Sequence, residues 1–336
     1  MALDAHNNAL HIPVLLEPII NLLAPALNDG GVLIDCTLGM GGHSEAFLRS
    51  FPQLRVIGID RDEQAIDLAS RRLSQFGDRF SAVHTTYDNV DQVAKTFGHD
   101  GRVDAILMDL GVSSLQLDEA ERGFSYSHDA PLDMRMDTSS PVTAAHLLAT
   151  LSHSELTRIL RVYGEEKFAA QIAREIIKRR QSSPIERTSE LADLIRETIP
   201  APARRKGGNP SKRTFQALRI AVNNELDVLE AAVPRAIESL RVGGRLAIES
   251  YQSLEDRIVK EALNVGLKST SPPGLPMELE DHGPYLNSLT RGAHKADRHE
   301  QENNPRSASV RLRAVERLRP TPPHIHQSYR RQGSVS

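Results

Sequence analysis

Apolar side chains recur at helical spacing between residues 13 and 27, with Val14, Leu15, Ile19, Leu22 and Leu23 on one side. Asn28-Asp29-Gly30-Gly31 breaks that pattern. Short apolar runs then alternate with helical stretches. Strands are predicted near 32–36, 55–60 and 80–84, and over Val103-Asp104-Ala105-Ile106-Leu107-Met108-Asp109. Helices are predicted over 43–50 and 62–73, the second with Ala65, Ile66, Ala69 and Leu73 in helical register. This alternation predicts an α/β fold with a mostly parallel sheet covered on both faces.

The pattern changes at about residue 120. From there to 212 no run reads as a strand, and helices are predicted over 143–180 and 188–199. Breaks fall at Ser183-Pro184 and Ile199-Pro200-Ala201-Pro202. A long helix is expected from Thr214 to Leu240, then a turn at Val242-Gly243-Gly244 and a fifth strand over Arg245-Leu246-Ala247-Ile248-Glu249-Ser250. A helical unit (120–212) is thus inserted into one α/β domain made of 11–119 and 213–318. Beyond Leu267 the chain is rich in Pro, Gly and His up to Pro305. Ser307 to Val315 then alternates like an edge strand. The ends, 1–10 and 319–336, read as flexible termini.

Composition narrows the class. At 336 residues the chain can bury a sizeable core, and its charge of −3 argues against indiscriminate nucleic-acid binding without excluding a local basic face. Arg outnumbers Lys 33 to 8, which the codon use of a GC-rich genome explains more simply than phosphate contacts do. No apolar run approaches the ~20 residues of a membrane span, and the first ten residues lack a signal-peptide layout. Cys36 is the sole cysteine, so an intrachain disulfide is impossible and a reducing cytoplasm fits.

The candidate chemistry begins at Asp35-Cys36-Thr37-Leu38-Gly39-Met40-Gly41-Gly42-His43-Ser44, a glycine-rich turn after the first strand. Two cofactors suit it. A dinucleotide asks for Gly-x-Gly-x-x-Gly, which Gly39 and Gly41 begin and Ser44 fails to complete. S-adenosylmethionine (SAM) asks for backbone room and for acids facing an ammonium and ribose hydroxyls. Gly39, Gly41 and Gly42 offer the first; Asp35 and Asp60 offer the second. Asp60 alone does not discriminate, because a dinucleotide ribose uses the same acid.

Blocks spread along the chain carry a resemblance. They are His11 to Leu16, Asp35 to Ser44, Ile59 to Asp62, Asp109 to Ser114, Glu121 to Ser125 and Pro131 to Asp137. Tyr163 to Ala169, Arg213 to Arg219 and Ser253 to Lys260 follow. In this order they resemble the bacterial RsmH (MraW) family, which methylates N4 of a cytidine in the decoding region of 16S ribosomal RNA. The resemblance implies a class I SAM-dependent methyltransferase sheet (Rossmann-like) with an inserted helical substrate-recognition domain. It implies SAM contacts at Gly41, Gly42, His43, Asp60, Tyr87, Asp109 and Gln116. The expected partner is 16S rRNA, within a small ribosomal subunit or its precursor, with no membrane and a homodimer left open. The chain departs from the family in three places. Tyr87 stands where phenylalanine is frequent, Leu115 where proline is, and Tyr251-Gln252 where Phe-His is. Gln252 carries no proton at neutral pH, so a role needing an imidazole is not expected there.

An exocyclic amine is a poor nucleophile, because its lone pair is delocalised into the ring. Acceptors on its protons favour the pyramidal nitrogen that attacks a methyl group. Asp109, or a backbone carbonyl near it, is the expected acceptor with Ser113 assisting; the competing role for Asp109 is contact with SAM alone. Asp133 and Arg135 are candidates for substrate contact, against an internal ion pair that fixes their loop. Ala201 to Asn224 contains no acid, and Arg204, Arg205, Lys206, Lys212 and Arg213 there are candidates to grip phosphate. No metal is expected, since His282, His294 and His299 lack a paired-ligand spacing. Cys36 suits the core or a wall of the cofactor site better than a nucleophile. Two other readings stand beside methyl transfer: a nicotinamide oxidoreductase, which Ser44 disfavours, and a non-catalytic RNA-binding protein.

Overall fold

The alternation of short runs before residue 110 folds as four parallel strands. A computed structural model describes residues 13–204, 208–272 and 279–325. In chain order the first elements are α1 (Leu16–Leu27), β1 (Gly31–Asp35), α2 (Gly42–Ser50), β2 (Leu54–Asp60), α3 (Glu63–Leu73), β3 (Phe80–His84), α4 (Val90–Phe97) and β4 (Val103–Asp109). Then come α5 (Ser114–Asp118), α6 (Ala144–Thr150), α7 (His153–Val162), α8 (Ala169–Arg180), α9 (Thr188–Thr198), α10 (Ala201–Arg204) and α11 (Lys212–Asn223). Sheet structure returns with α12 (Glu225–Ser239), β5 (Leu240–Ser250), α13 (Ser253–Leu267), β6 (Leu286–Ser288), α14 (Arg298–Asn303) and β7 (Arg311–Arg317).

The seven strands lie in the order β3-β2-β1-β4-β5-β7-β6. Neighbours from β3 to β5 run parallel, and β7 is antiparallel to both β5 and β6. This is the class I, Rossmann-like arrangement expected from the resemblance. Alternate strand residues sort to the two faces. Val32, Ile34, Ile57, Ile59, Ile106 and Met108 join the side chains of α4, α12 and α13. Leu33, Val56, Ala105 and Leu107 join those of α1, α2 and α3. Strands buried on both faces read as continuous apolar runs, which is why β1, β2 and β4 stand out in the sequence.

The chain divides into two compact units, one formed by the residues up to Gly111 and from Val228, the other by Val112–Asp227. The second is wider than the 120–212 stretch marked by the change of pattern, because Phe215, Ala217 and Leu218 of α11 belong to its core. Two of its helices start on side-chain caps: Thr143 accepts the His146 N–H at 3.1 Å at α6, and Ser152 and Glu155 form a capping box on α7. The expected helix over 143–180 is therefore three helices. The expected helix from Thr214 to Leu240 is two, divided at Asn224, whose backbone is left-handed at φ 52°.

Two other expectations need correction. Ser307 to Ser309 lies in a 3-10 turn begun by Pro305, and the strand starts at Arg311 and lies inside the sheet, with β6 outside it. The tail is not uniformly loose: Thr321, Pro322 and Ile325 are buried, Ile325 in the core beside α12 and α13, while 326–336 lie outside the described residues. Among the described residues no helix is long and apolar enough to cross a membrane.

Arg317 closes the sheet against α12. Only 1% exposed, it donates from Nη1 to the carbonyls of Ile237, Glu238 and Leu240 at 2.8–2.9 Å, and from Nη2 to Glu238 Oε2 at 3.2 Å. Burial holds its guanidinium below the ordinary value, and Glu238 partly restores it. Arg317→Met, similar in volume, leaves those carbonyls short of a donor. It is expected to lower unfolding free energy by about 2–4 kcal/mol in urea titrations. Arg317→Lys should recover only part, because one ammonium with three donors cannot serve the three carbonyls and also the Glu238 carboxylate and the Arg319 carbonyl that Nη2 and Nε reach.

Candidate active site

Three parallel strands end in acids: Asp35 on β1, Asp60 on β2 and Asp109 on β4. A fourth acid, Glu249, lies one residue before the end of β5. All four reach the carboxyl edge of the sheet. The strand order reverses between β1 and β4, and such a switch point opens the crevice where doubly wound sheets bind ligands.

The glycine turn is built against these acids. Asp60 Oδ2 accepts the Gly39 N–H at 2.8 Å and Oδ1 accepts the Asp62 N–H at 3.0 Å. Burial pushes the Asp60 carboxyl up to about 6, the two backbone N–H groups offsetting part of the rise. Gly41 stands at φ 76° just before α2, a conformation that favours glycine, and a Cβ there would meet Leu73 Cδ1 at 3.0 Å. A Cβ on Gly42 would lie 2.8 Å from Pro13 Cγ. Ser44, where a dinucleotide pattern has its third glycine, is fully buried and donates from Oγ to Asp35 Oδ2 at 2.7 Å. The serine has a task that glycine could not perform. It helps hold a buried acid whose carboxyl is raised by burial and brought back down by His43, the Ser44 hydroxyl and the Thr37 N–H.

Beside the turn lies a second cluster. Asp109 Oδ1 accepts the Tyr251 hydroxyl at 2.9 Å, and Oδ2 lies 3.9 Å from His43 Nδ1. The other imidazole nitrogen, Nε2, is 3.2 Å from the Val14 carbonyl and 3.8 Å from Glu249 Oε2. The Asp109 side chain keeps 29% exposure and Glu249 has none. Glu255 Oε2 accepts the N–H groups of Tyr251 and Gln252 and so fixes the chain that carries the phenol. Burial raises the carboxyls of Asp109 and Glu249, and for Glu249 the acids Asp109 and Glu300 add to the rise. His43, Asp109 and Glu249 each offer an atom within 4.8 Å of the others, a grouping that could hold a cation and that no local spacing reveals. Sequence reasoning passed over Glu249 and the Tyr251 hydroxyl. The available signals were an acid in the apolar run Leu246-Ala247-Ile248-Glu249, and tyrosine where the family has phenylalanine.

The remaining predicted residues fall as follows. Tyr87 opens a 3-10 turn after β3 and packs on the core beside α4. Cys36 is buried in the core shared with α4 and α12, and burial pushes its thiol well up. In the second unit, Ser113 and Gln116 form a capping box on α5: Gln116 Oε1 accepts the Ser113 N–H at 3.1 Å and Ser113 Oγ accepts the Gln116 N–H at 3.3 Å. Both help to order that turn. Asp133 and Arg135 form the internal ion pair rather than two open contacts. Nε and Nη2 of Arg135 bind the two Asp133 oxygens at 2.8 and 2.7 Å, and Nη1 binds the Thr138 and Ser140 carbonyls. The guanidinium beside Asp133 holds its carboxyl low against the opposing effect of burial. Arg204 ends α10; Lys212 and Arg213 are exposed at the start of α11, Arg213 donating to the Glu165 carbonyl at 3.0 Å. Arg205 and Lys206 lie outside the described residues.

Comparison with known proteins fits this frame. The profile of the MraW methylase family matches residues 8–318. A protein named Ribosomal RNA small subunit methyltransferase H, from Beutenbergia cavernae, is 58% identical over 320 residues, covering 95% of this chain and 96% of that one. One of the same name from Mycolicibacterium smegmatis is 57% identical over 314 residues, covering 92% and 84%. Among solved structures, an rRNA methylase from Streptococcus thermophilus aligns with 92% of this chain and 99% of its own, at 14% identity and a TM-score of 0.43. On the span of the family profile and the identity of these relatives, the chain belongs to the MraW methylase family.

Proposed function

We propose that the chain transfers a methyl group from SAM to the N4 amine of a cytidine in the decoding region of 16S rRNA, giving N4-methylcytidine. The observation that carries the cofactor reading is the turn itself. Gly41 and Gly42 let the turn pack directly against Leu73 and Pro13, where a Cβ would collide, Asp60 presents a carboxyl at the second strand end, and Ser44 closes the position a dinucleotide would need open. Relatives named for small-subunit rRNA methylation support the substrate class.

In this reading Asp60 accepts the ribose hydroxyls, Tyr87 flanks the adenine, and the backbone from Gly41 to His43 surrounds the methionine portion. Gln116 is a further proposed contact. Bound SAM supplies a methyl group on a positively charged sulfur. The chain's own task is to aim and sharpen the amine. Asp109 Oδ1 is engaged by Tyr251, so Oδ2 is the oxygen directed to the amine. Accepting an amine N–H localises the nitrogen lone pair, and the carboxylate then takes the proton that the nitrogen sheds after forming its fourth bond. Ser113 is the proposed assistant. Fixing both reactants in line can supply roughly 7–11 kcal/mol in the best cases. A cytidine within folded RNA must be splayed out to reach such a site. The basic run Arg204, Arg205, Lys206, Lys212 and Arg213 is the proposed grip on its phosphates, in a small ribosomal subunit or its precursor. The cytoplasm is the expected compartment.

The defining experiment is methyl transfer from labelled SAM to undermethylated small subunits, with N4-methylcytidine as the product sought; transfer to another atom or to none overturns the reading. Asp109→Ala should cut the rate by about 10²-fold or more with folding intact. Asp60→Ala should weaken SAM binding by about ten- to a hundredfold in calorimetry, the loss of charge-assisted hydrogen bonds. The ionised Asp60 is the form that accepts ribose hydroxyls, and its folded value of about 6 lies above the ordinary 3.8. SAM affinity should therefore hold steady above that value and fall as pH drops through it. Reversing charge at Arg204, Lys212 and Arg213 should weaken RNA binding and flatten its salt dependence, and an unchanged slope would remove these residues from the interface.

A further inference from the structure

Glu249 is the one group in this cluster whose surroundings do not account for it. It is fully buried, and among the described residues no N–H or hydroxyl reaches either of its carboxyl oxygens. An ionised carboxylate in that position would be a buried charge with no donor, among the costliest arrangements a protein can hold. Four titratable groups face it from the elements around it: Asp109 at the end of β4, His43 on α2, Tyr251 just past β5 and Glu300 on α14. His43 does not serve as its donor. Its Nε2 is 3.8 Å from Glu249 Oε2 but 3.2 Å from the Val14 carbonyl, where the N–H finds its partner. Asp35 and Glu300 add negative charge around the cluster. The Asp109 carboxyl lies beside Glu249, since the two residues pair across β4 and β5 and an oxygen of each lies within 4.8 Å of the other, and two carboxyls form a hydrogen bond only when a proton lies between them.

We propose that Glu249 carries the one proton of an Asp109–Glu249 acid pair and donates it to Asp109, so that Glu249 and Tyr251 together clamp Asp109 as an oriented carboxylate. The proton belongs to Glu249 because the two sites are unequal. Asp109 keeps 29% exposure and already accepts the Tyr251 hydroxyl at 2.9 Å, both of which favour the anion. Glu249 is shut off from solvent and has no donor among the described residues. The consequence lies with Asp109, which stays ionised at neutral pH inside a crowd of acids because its neighbour holds the proton. Glu249 and Tyr251 are thus positioning residues that act through Asp109. A divalent cation is the other occupant the site suggests, since His43, Asp109 and Glu249 offer atoms within 4.8 Å of one another.

The inference rests on the proposed function only for what Asp109 does, and its first test needs no substrate. Infrared spectra of the full-length protein at neutral pH should contain the stretch of a protonated carboxyl that is lost in Glu249→Gln and in Glu249→Leu. Absence of that band in the parent protein overturns the proposal. So does its disappearance on adding Mg²⁺, Mn²⁺ or Zn²⁺, which would assign the gap to a cation. The second test reads the pH profile of methyl transfer. Tyr251→Phe and Glu249→Leu each remove a donor from Asp109 and should move the acid limb upward by about one pH unit. Glu249→Gln still offers an N–H and should move it less. Equal losses at every pH, with Gln no better than Leu, would mean a merely structural role. A failed methyl-transfer assay with the carboxyl band in place would count against the proposed function and leave the acid pair standing.

Discussion

The gathering of four carboxyls at one edge of a parallel sheet is the constraint on which the rest of the molecule depends. Parallel strands place their ends together, and here those ends carry Asp35, Asp60, Asp109 and Glu249. Asp35 and Glu249 are shut off from solvent and Asp60 and Asp109 are only half-buried, so protein donors carry much of the work of settling them. Asp35 takes the Ser44 hydroxyl and the Thr37 N–H, and Asp60 takes the N–H groups of Gly39 and Asp62. Asp109 takes the Tyr251 hydroxyl. The glycine turn, the start of α2 and the chain after β5 are shaped by the duty of supplying these donors. A ligand with cationic and hydroxyl groups extends the same logic, because it brings donors to acids that are short of them.

The second unit meets a different demand. Its core is a set of amphipathic helices, and its polar residues are largely spent on local order: capping boxes at α5 and α7, the Asp133–Arg135 pair, and Asn223 bridging the Met134 carbonyl and the Met136 N–H. Charge in a loop is thus a weak guide to recognition. Arg135 looks available in the sequence, yet each of its terminal nitrogens is bound to the loop that carries it. Lys212 and Arg213 stand out instead because their side chains are exposed at the start of a helix.

Most strands that could be read from the chain are buried on both faces, while β3, at the sheet edge, is only half-buried. β1, β2, β3 and β4 lie within a residue of where the apolar runs place them, since continuous hydrophobicity bounded by turns has few other uses. Element ends decided by a single backbone conformation were hidden: Asn224 divides a helix by adopting φ 52°, and nothing in its neighbours demands that. α4 was missed although Val90, Val93, Ala94 and Phe97 carry its spacing, because it is short and lies among polar residues. At the site, Asp60 and the glycines were legible because turn chemistry is local. Glu249 was not. Its meaning comes from Asp109 and His43, which are distant in sequence and meet it only once the sheet has formed.

The Ser44–Asp35 hydrogen bond also bears on how this fold can change its cofactor. A single exchange of Ser44 for glycine would complete the spacing associated with dinucleotides and would look, to a pattern search, like a gain of function. In the folded chain it would instead strip the hydroxyl from a buried aspartate and leave that acid among other acids with one donor fewer. The two cofactor classes are one letter apart on paper, but a lineage moving from one to the other would have to rebuild the end of β1 first.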